Sequence, residues 1–209
     1  AYPWQPLRYR PRTVGAANGE VAMDMHELYA KAGDWTSGVF ENVAAGHHGA
    51  PTPCLDWDVK ALMNHLIGTN HWLAATLSGR HQPDTHQGEQ PDLTGDDPGA
   101  AYRQSLAAAQ TAFTDPGVLD KTFDAGWQEM PGKVLLSIAI SEALIHGWDL
   151  ATATGQDTSV EPEVAAAVYA MMQRGVEAGR AAGAYGPAVE VGDDASTQDK
   201  LLALTGRTP

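Results

Sequence analysis

The chain is short of cysteine, of cations and of long apolar runs. One cysteine, Cys54, stands among 209 residues. No intramolecular disulfide can form, so a disulfide scaffold or a Cys-only zinc finger is excluded, and a reducing cytoplasm is the expected setting. Lys and Arg number 13 against 26 Asp and Glu, a formal charge of -13. So acidic a chain repels phosphate backbones and anionic lipid, and neither nucleic acid nor a membrane surface is an expected partner. No run of about 18 apolar residues occurs, so no membrane span is expected. Gly-rich phosphate loops, EF-hand loops, internal repeats and low-complexity tracts are also missing. What remains is a globular composition, 43% hydrophobic, long enough to bury a core without staples.

The first 23 residues differ from the rest. They hold Pro3, Pro6 and Pro11, the cations Arg8, Arg10 and Arg12, and no acid before Glu20. No apolar stretch suits a secretory signal. Residues 1–23 read as a flexible extension, or as an arm that docks on the acidic body or on a neighbouring subunit. Residues 24–209 read as one helical domain.

Apolar spacing of three and four predicts a first helix over Met25 to Ala45, through Leu28, Ala32, Trp35 and Val39, with Asp24 as its cap. A second is predicted over Val59 to Ser78, capped by Asp56 or Asp58 and ended at Gly79. Residues 81–99 form a long polar connector, which suits a crossover between helices of a bundle. Asp97-Pro98 then opens a third helix to Phe113. Leu119 to Met130 is ambiguous, with a short extended piece around Phe123 to Trp127. A fourth helix, Lys133 to Thr154, is apolar almost all round and should be buried. A fifth spans Pro162 to Ala182, and Asp199 to Leu204 makes a last short turn. The expected fold is all-α, a four-helix bundle with a long crossover connection and a short C-terminal extension.

The fourth helix places Glu142, His146 and Asp149 on one face. Ionisable groups on an oily helix need partners. Two readings fit Glu142 and His146: a shared metal ion, or a buried hydrogen bond between them. His65 lies at the core edge of the second helix and His71 nearer solvent. His65 alone reads as a structural hydrogen bonder or as a ligand. With Glu142 and His146 it would complete two imidazoles and a carboxylate, a set that leaves open positions on zinc or non-haem iron. Asp149 reads either as an orienter of a ligand histidine or as a partner within its own helix. Cys54, in a Pro-rich turn, reads as a small packing residue sooner than as a reactive nucleophile, and His47-His48 as a solvated turn sooner than as an extension of the metal site. Trp57 and Trp148 read as core and pocket wall.

Pro51-Thr52-Pro53-Cys54, Asp56-Trp57-Asp58-Val59 and Asn64-His65-Leu66-Ile67-Gly68 resemble the opening signature of the mycothiol-dependent maleylpyruvate isomerase N-terminal family. That family belongs to the DinB/YfiT-like metalloprotein superfamily. Glu142-Ala143-Leu144-Ile145-His146-Gly147-Trp148-Asp149-Leu150-Ala151, followed by Ala153-Thr154-Gly155, is similar to its second signature. The tail from Tyr185 to Val189 and on to Leu204 resembles the single-domain actinobacterial type. The resemblance covers about Met25 to Pro209.

The resemblance implies a DinB/YfiT-like four-helix bundle binding one divalent metal through His65, Glu142 and His146, with the second and fourth helices face to face. Zinc is the expected ion, and nickel or iron accept the same ligands. It further implies a small-molecule thiol, mycothiol, as cosubstrate, used in S-transfer to, or isomerisation of, a small electrophile. The characterised isomerases add a C-terminal domain to their active site that is not matched here, so maleylpyruvate itself is not the expected substrate. Related bundles often pair as homodimers. The connector 81–99 would form a rim or lid, and cationic anchors for the thiol are scarce, being limited to Arg80, Arg103, Arg174 and Arg180 in the bundle. The other function class open to the same ligands is a non-catalytic metal-binding or small-molecule-sequestering bundle.

Overall fold

A computed structural model describes residues 23–55, 57–80 and 91–209. The expected N-terminal arm, apart from Met23, lies outside them, as do the candidate cap Asp56 and connector residues 81–90. The described chain is mainly helical, with one small two-stranded sheet. It forms two compact units, Met25–Val160 and, downstream, Glu161–Pro209.

The first unit holds four long helices: α1 (Met25–Glu41), α2 (Val59–Leu77), α3 (Pro98–Phe113) and α4 (Gly132–Ala153). Both α1 and α2 pack against α3 and against α4. The N-termini follow the expected chemistry. Asp58 caps α2 by accepting from Ala61 N, and Asp97 caps α3 by accepting from Ala100 N, with Pro98 in the first turn. Gly79, at φ 66°, ends α2 where a left-handed residue is needed. The first helix stops at Glu41, earlier than its periodicity suggested, and a 3-10 turn takes over Ala45–His47. The ambiguous stretch resolves into a hairpin, β1 (Thr122–Asp124) against β2 (Glu129–Pro131). The extended piece expected around Phe123 is its first strand, and the partner strand was not read from the sequence.

The core is built of Leu62, Met63, Ile67 and Leu73 from α2 and of Leu135, Leu136, Ile140 and Ile145 from α4, with Tyr29, Phe40, Tyr102 and Phe113. Phe40 stacks on Tyr102 with ring centroids 4.2 Å apart. The seam between α1 and α4 is tight. A Cβ on Gly147 would meet Thr36 Oγ1 at 2.4 Å, so only glycine lets the two backbones approach. There Thr36 donates to Ala143 O at 2.8 Å. α4 is long and apolar enough to cross a membrane by length and composition, but 72% of its apolar window is buried within the protein. Its hydrophobicity is that of a core helix.

A neutral polar cluster ties α1, α2 and α3. Tyr29 donates to Asn70 Oδ1 at 3.1 Å, Asn70 donates to Ser105 Oγ at 3.2 Å, and Ser105 donates to Tyr102 O. Burial pushes both tyrosine hydroxyls up, so they stay uncharged.

The second unit pairs α5 (Pro162–Ala181) with α6 (Thr197–Leu204). Ser196 and Asp199 form a reciprocal capping box at the start of α6. Arg180 reaches from α5 to Leu204 O and Gly186 O, satisfying carbonyls at the helix end.

Candidate metal centre

α4 presents Glu142, His146 and Asp149 at successive turns of one face, and α2 packs beside it with His65. His65 Nε2 lies 2.7 Å from Glu142 Oε2, and His146 Nε2 lies 3.5 Å from the same oxygen. The imidazoles meet edge to face with centroids 5.1 Å apart. Side-chain exposure is 14% for His65, 19% for Glu142 and 13% for His146. The trio is therefore largely screened from bulk water yet not fully enclosed.

Behind it, Asp149 is wholly enclosed at 0% exposure and accepts from His146 Nδ1 at 2.9 Å. Burial opposes a charge on His146, but the Glu142 carboxylate, the Asp149 hydrogen bond and the Cys54 contact outweigh it and push His146 up to about 10. Without a metal the proton on this ring is held more tightly than on a free imidazole.

From the turn before α2, Cys54 and Trp57 reach this face. The turn's ends pair as a bridge between Pro51 and Asp58, and Thr52 Oγ1 donates to Trp57 O at 2.8 Å while accepting from Cys54 N at 3.1 Å. The ring of Trp57 covers His65 with centroids 4.3 Å apart. Leu55 is 98% exposed beside it. From the connector, Leu93 N donates to Asn64 Oδ1 at 2.6 Å, so its described end docks on α2 one residue before His65.

The structure thus brings His65, Glu142, His146 and Asp149 into one cluster. His71 is exposed, and neither His47 nor His48 joins the group. Both of these are half-buried rather than solvated. One expectation is corrected. Cys54 is not a bystander packing residue: its thiol donates to Asp149 Oδ2 at 3.1 Å and lies 3.6 Å from His146 Nδ1. The path of the turn across α4 decides this, and spacing within the turn carries no trace of it. The signal that could have found it is the turn's place within the first signature.

Among the described residues, two donor sets could each hold a cation: His65, Glu142 and His146, and Cys54, His146 and Asp149. Within each, the ligand atoms lie within 4.8 Å of one another. Two imidazoles and a carboxylate, each partly exposed, fit a divalent transition metal with an open position. The second set already has its protons placed, with the histidine N–H and the thiol both directed at Asp149.

Comparison with known proteins places the chain. Residues 30–151 match the Mycothiol maleylpyruvate isomerase N-terminal domain family, and the chain belongs to that family. The matched span contains His65, Glu142, His146 and Asp149. An uncharacterised protein of Mycobacterium tuberculosis H37Rv is 33% identical over 147 residues, 68% of this chain and 74% of the relative. A counterpart in strain CDC 1551 matches to the same extent. No solved structure matches the chain significantly.

Proposed function

We propose that this protein is a DinB/YfiT-like four-helix bundle in which His65, Glu142 and His146 hold one divalent cation, zinc by default. It uses a low-molecular-weight thiol, mycothiol by family, for S-transfer to or isomerisation of a small electrophile. The observation that carries the reading is the convergence of His65 Nε2, Glu142 Oε2 and His146 Nε2 from two helices, each residue still partly exposed. A bound divalent ion supplies Lewis acidity and holds a coordinated thiol as thiolate at neutral pH.

The chain's own residues prepare the site. Glu142 brings negative charge to the two imidazoles. Asp149 fixes the His146 ring through Nδ1, leaving Nε2 directed at the centre. Trp57 screens the His65 side from water and offers an apolar face to a substrate. The connector end at Asp92 to Thr94 sits beside His65 as a rim.

The test is turnover by zinc-loaded protein with mycothiol or a simpler thiol and a panel of small electrophiles. Thiol-dependent product that disappears in His65→Ala supports the reading. One equivalent of metal without turnover on any pair would favour the non-catalytic metal-binding bundle instead.

A further inference from the structure

Cys54 is the only thiol in the chain, and it stands on the Nδ1 side of His146, while Glu142 stands on the Nε2 side. Asp149 Oδ2 receives both the Cys54 thiol, at 3.1 Å, and His146 Nδ1, at 2.9 Å. A carboxylate closed off from water needs donors for its lone pairs, and each donor helps to set its orientation. The thiol is itself held in place. Thr52 Oγ1 accepts from Cys54 N and donates to Trp57 O, which fixes the loop that delivers it.

We propose that Cys54 is a positioning residue for the metal centre: its S–H holds Asp149 in the orientation that takes the Nδ1 proton of His146, so that Nε2 faces Glu142 and His65 as a ligand. The proposal rests on the metal reading above. The same three side chains could instead ligate a cation of their own. That would strip both protons from the Asp149 contacts and, with Nε2 also bound, force His146 into an imidazolate. The hydrogen bonds favour the positioning role.

Because the chain has a single thiol, its S–H infrared stretch reports Cys54 alone. The experiment uses the full chain, metal-free and loaded with Co2+, as wild type, Cys54→Ser and Cys54→Ala. The S–H band should lie below that of a water-exposed thiol and persist after loading. Cys54→Ala should weaken Co2+ binding about 10-fold, the scale of a lost partner behind a ligand histidine. Cys54→Ser, which keeps a donor, should stay within about three-fold of wild type. The downfield ring N–H proton signal of His146 should move in the Ala variant and stay in the Ser variant.

Loss of the S–H band on loading, with a thiolate-to-cobalt charge-transfer band, would make Cys54 a ligand and overturn the proposal. So would equal weakening by Ser and Ala, which would mean shape rather than donation. Co2+ uptake by wild type with an indifferent Cys54→Ala overturns this proposal alone. No uptake by wild type overturns the metal reading and this proposal with it.

Discussion

Helix α2 carries His65 and, five residues on, Asn70, and the two serve opposite kinds of polar cluster. Asn70 joins Tyr29 and Ser105 in a neutral group that is almost fully buried. Every member exchanges hydrogen bonds at no cost in buried charge, so the group can lock three helices together. His65 joins Glu142 and His146, all ionisable and each still partly exposed. That set is not fully enclosed and is built of groups that suit a divalent cation. A closed neutral cluster serves cohesion. A partly exposed ionisable one, backed by a buried carboxylate, would on the proposed reading serve ligand binding.

Breaking the neutral cluster should give the largest effect. Asn70→Ala removes the acceptor of Tyr29 and the donor to Ser105, and should cost about 2–4 kcal/mol in urea unfolding. Metal content of the folded fraction should not change. Gly147→Ala attacks the α1–α4 seam instead. Its Cβ would lie 2.4 Å from Thr36 Oγ1 and 2.8 Å from Trp35 Cζ3, so a stability loss of about 1–3 kcal/mol should appear as a lower Tm.

The ionisable cluster should betray itself by pH. In metal-free protein His146 is raised from 6.5 to about 10, so the folded state binds its proton more tightly than the unfolded state. Its contribution is complete below about pH 6.5 and is lost as pH rises toward 10. Urea midpoints of chelator-treated wild type should fall across that window, and His146→Gln should flatten the fall. The neutral cluster predicts no such slope. The smallest effect belongs to the exposed pair of Lys60 and Asp92, 2.7 Å apart. Its hydrogen bonds from Lys60 and Thr94 lower the Asp92 carboxyl to about 2, so the contribution is present above the usual carboxylate range and lost as pH falls through about 2. A carboxyl NMR titration should place that midpoint, and Lys60→Met should raise it. Salt should erase most of any stability change.

Much of this was legible in the sequence because it is local. Asp58, Asp97 and Pro98 announce their helices through chemistry within one turn. The Glu142, His146 and Asp149 face follows from helical geometry alone. The partnership of His65 with that face is a tertiary fact, and only the family resemblance pointed to it. Cys54 escaped because a loop's path across a helix leaves no periodicity. The early end of α1 escaped because Asn42 to Ala45 does not break the apolar pattern as a proline would.

The central claim is that His65, Glu142 and His146 form a metal centre. Its most direct test is elemental analysis of protein purified without a metal-affinity column, wild type beside His146→Ala. The account predicts about one equivalent of a divalent transition metal in the wild type and almost none in a folded variant. No metal in either, or equal metal in both, would contradict it and leave the His65–Glu142 contact as a structural hydrogen bond.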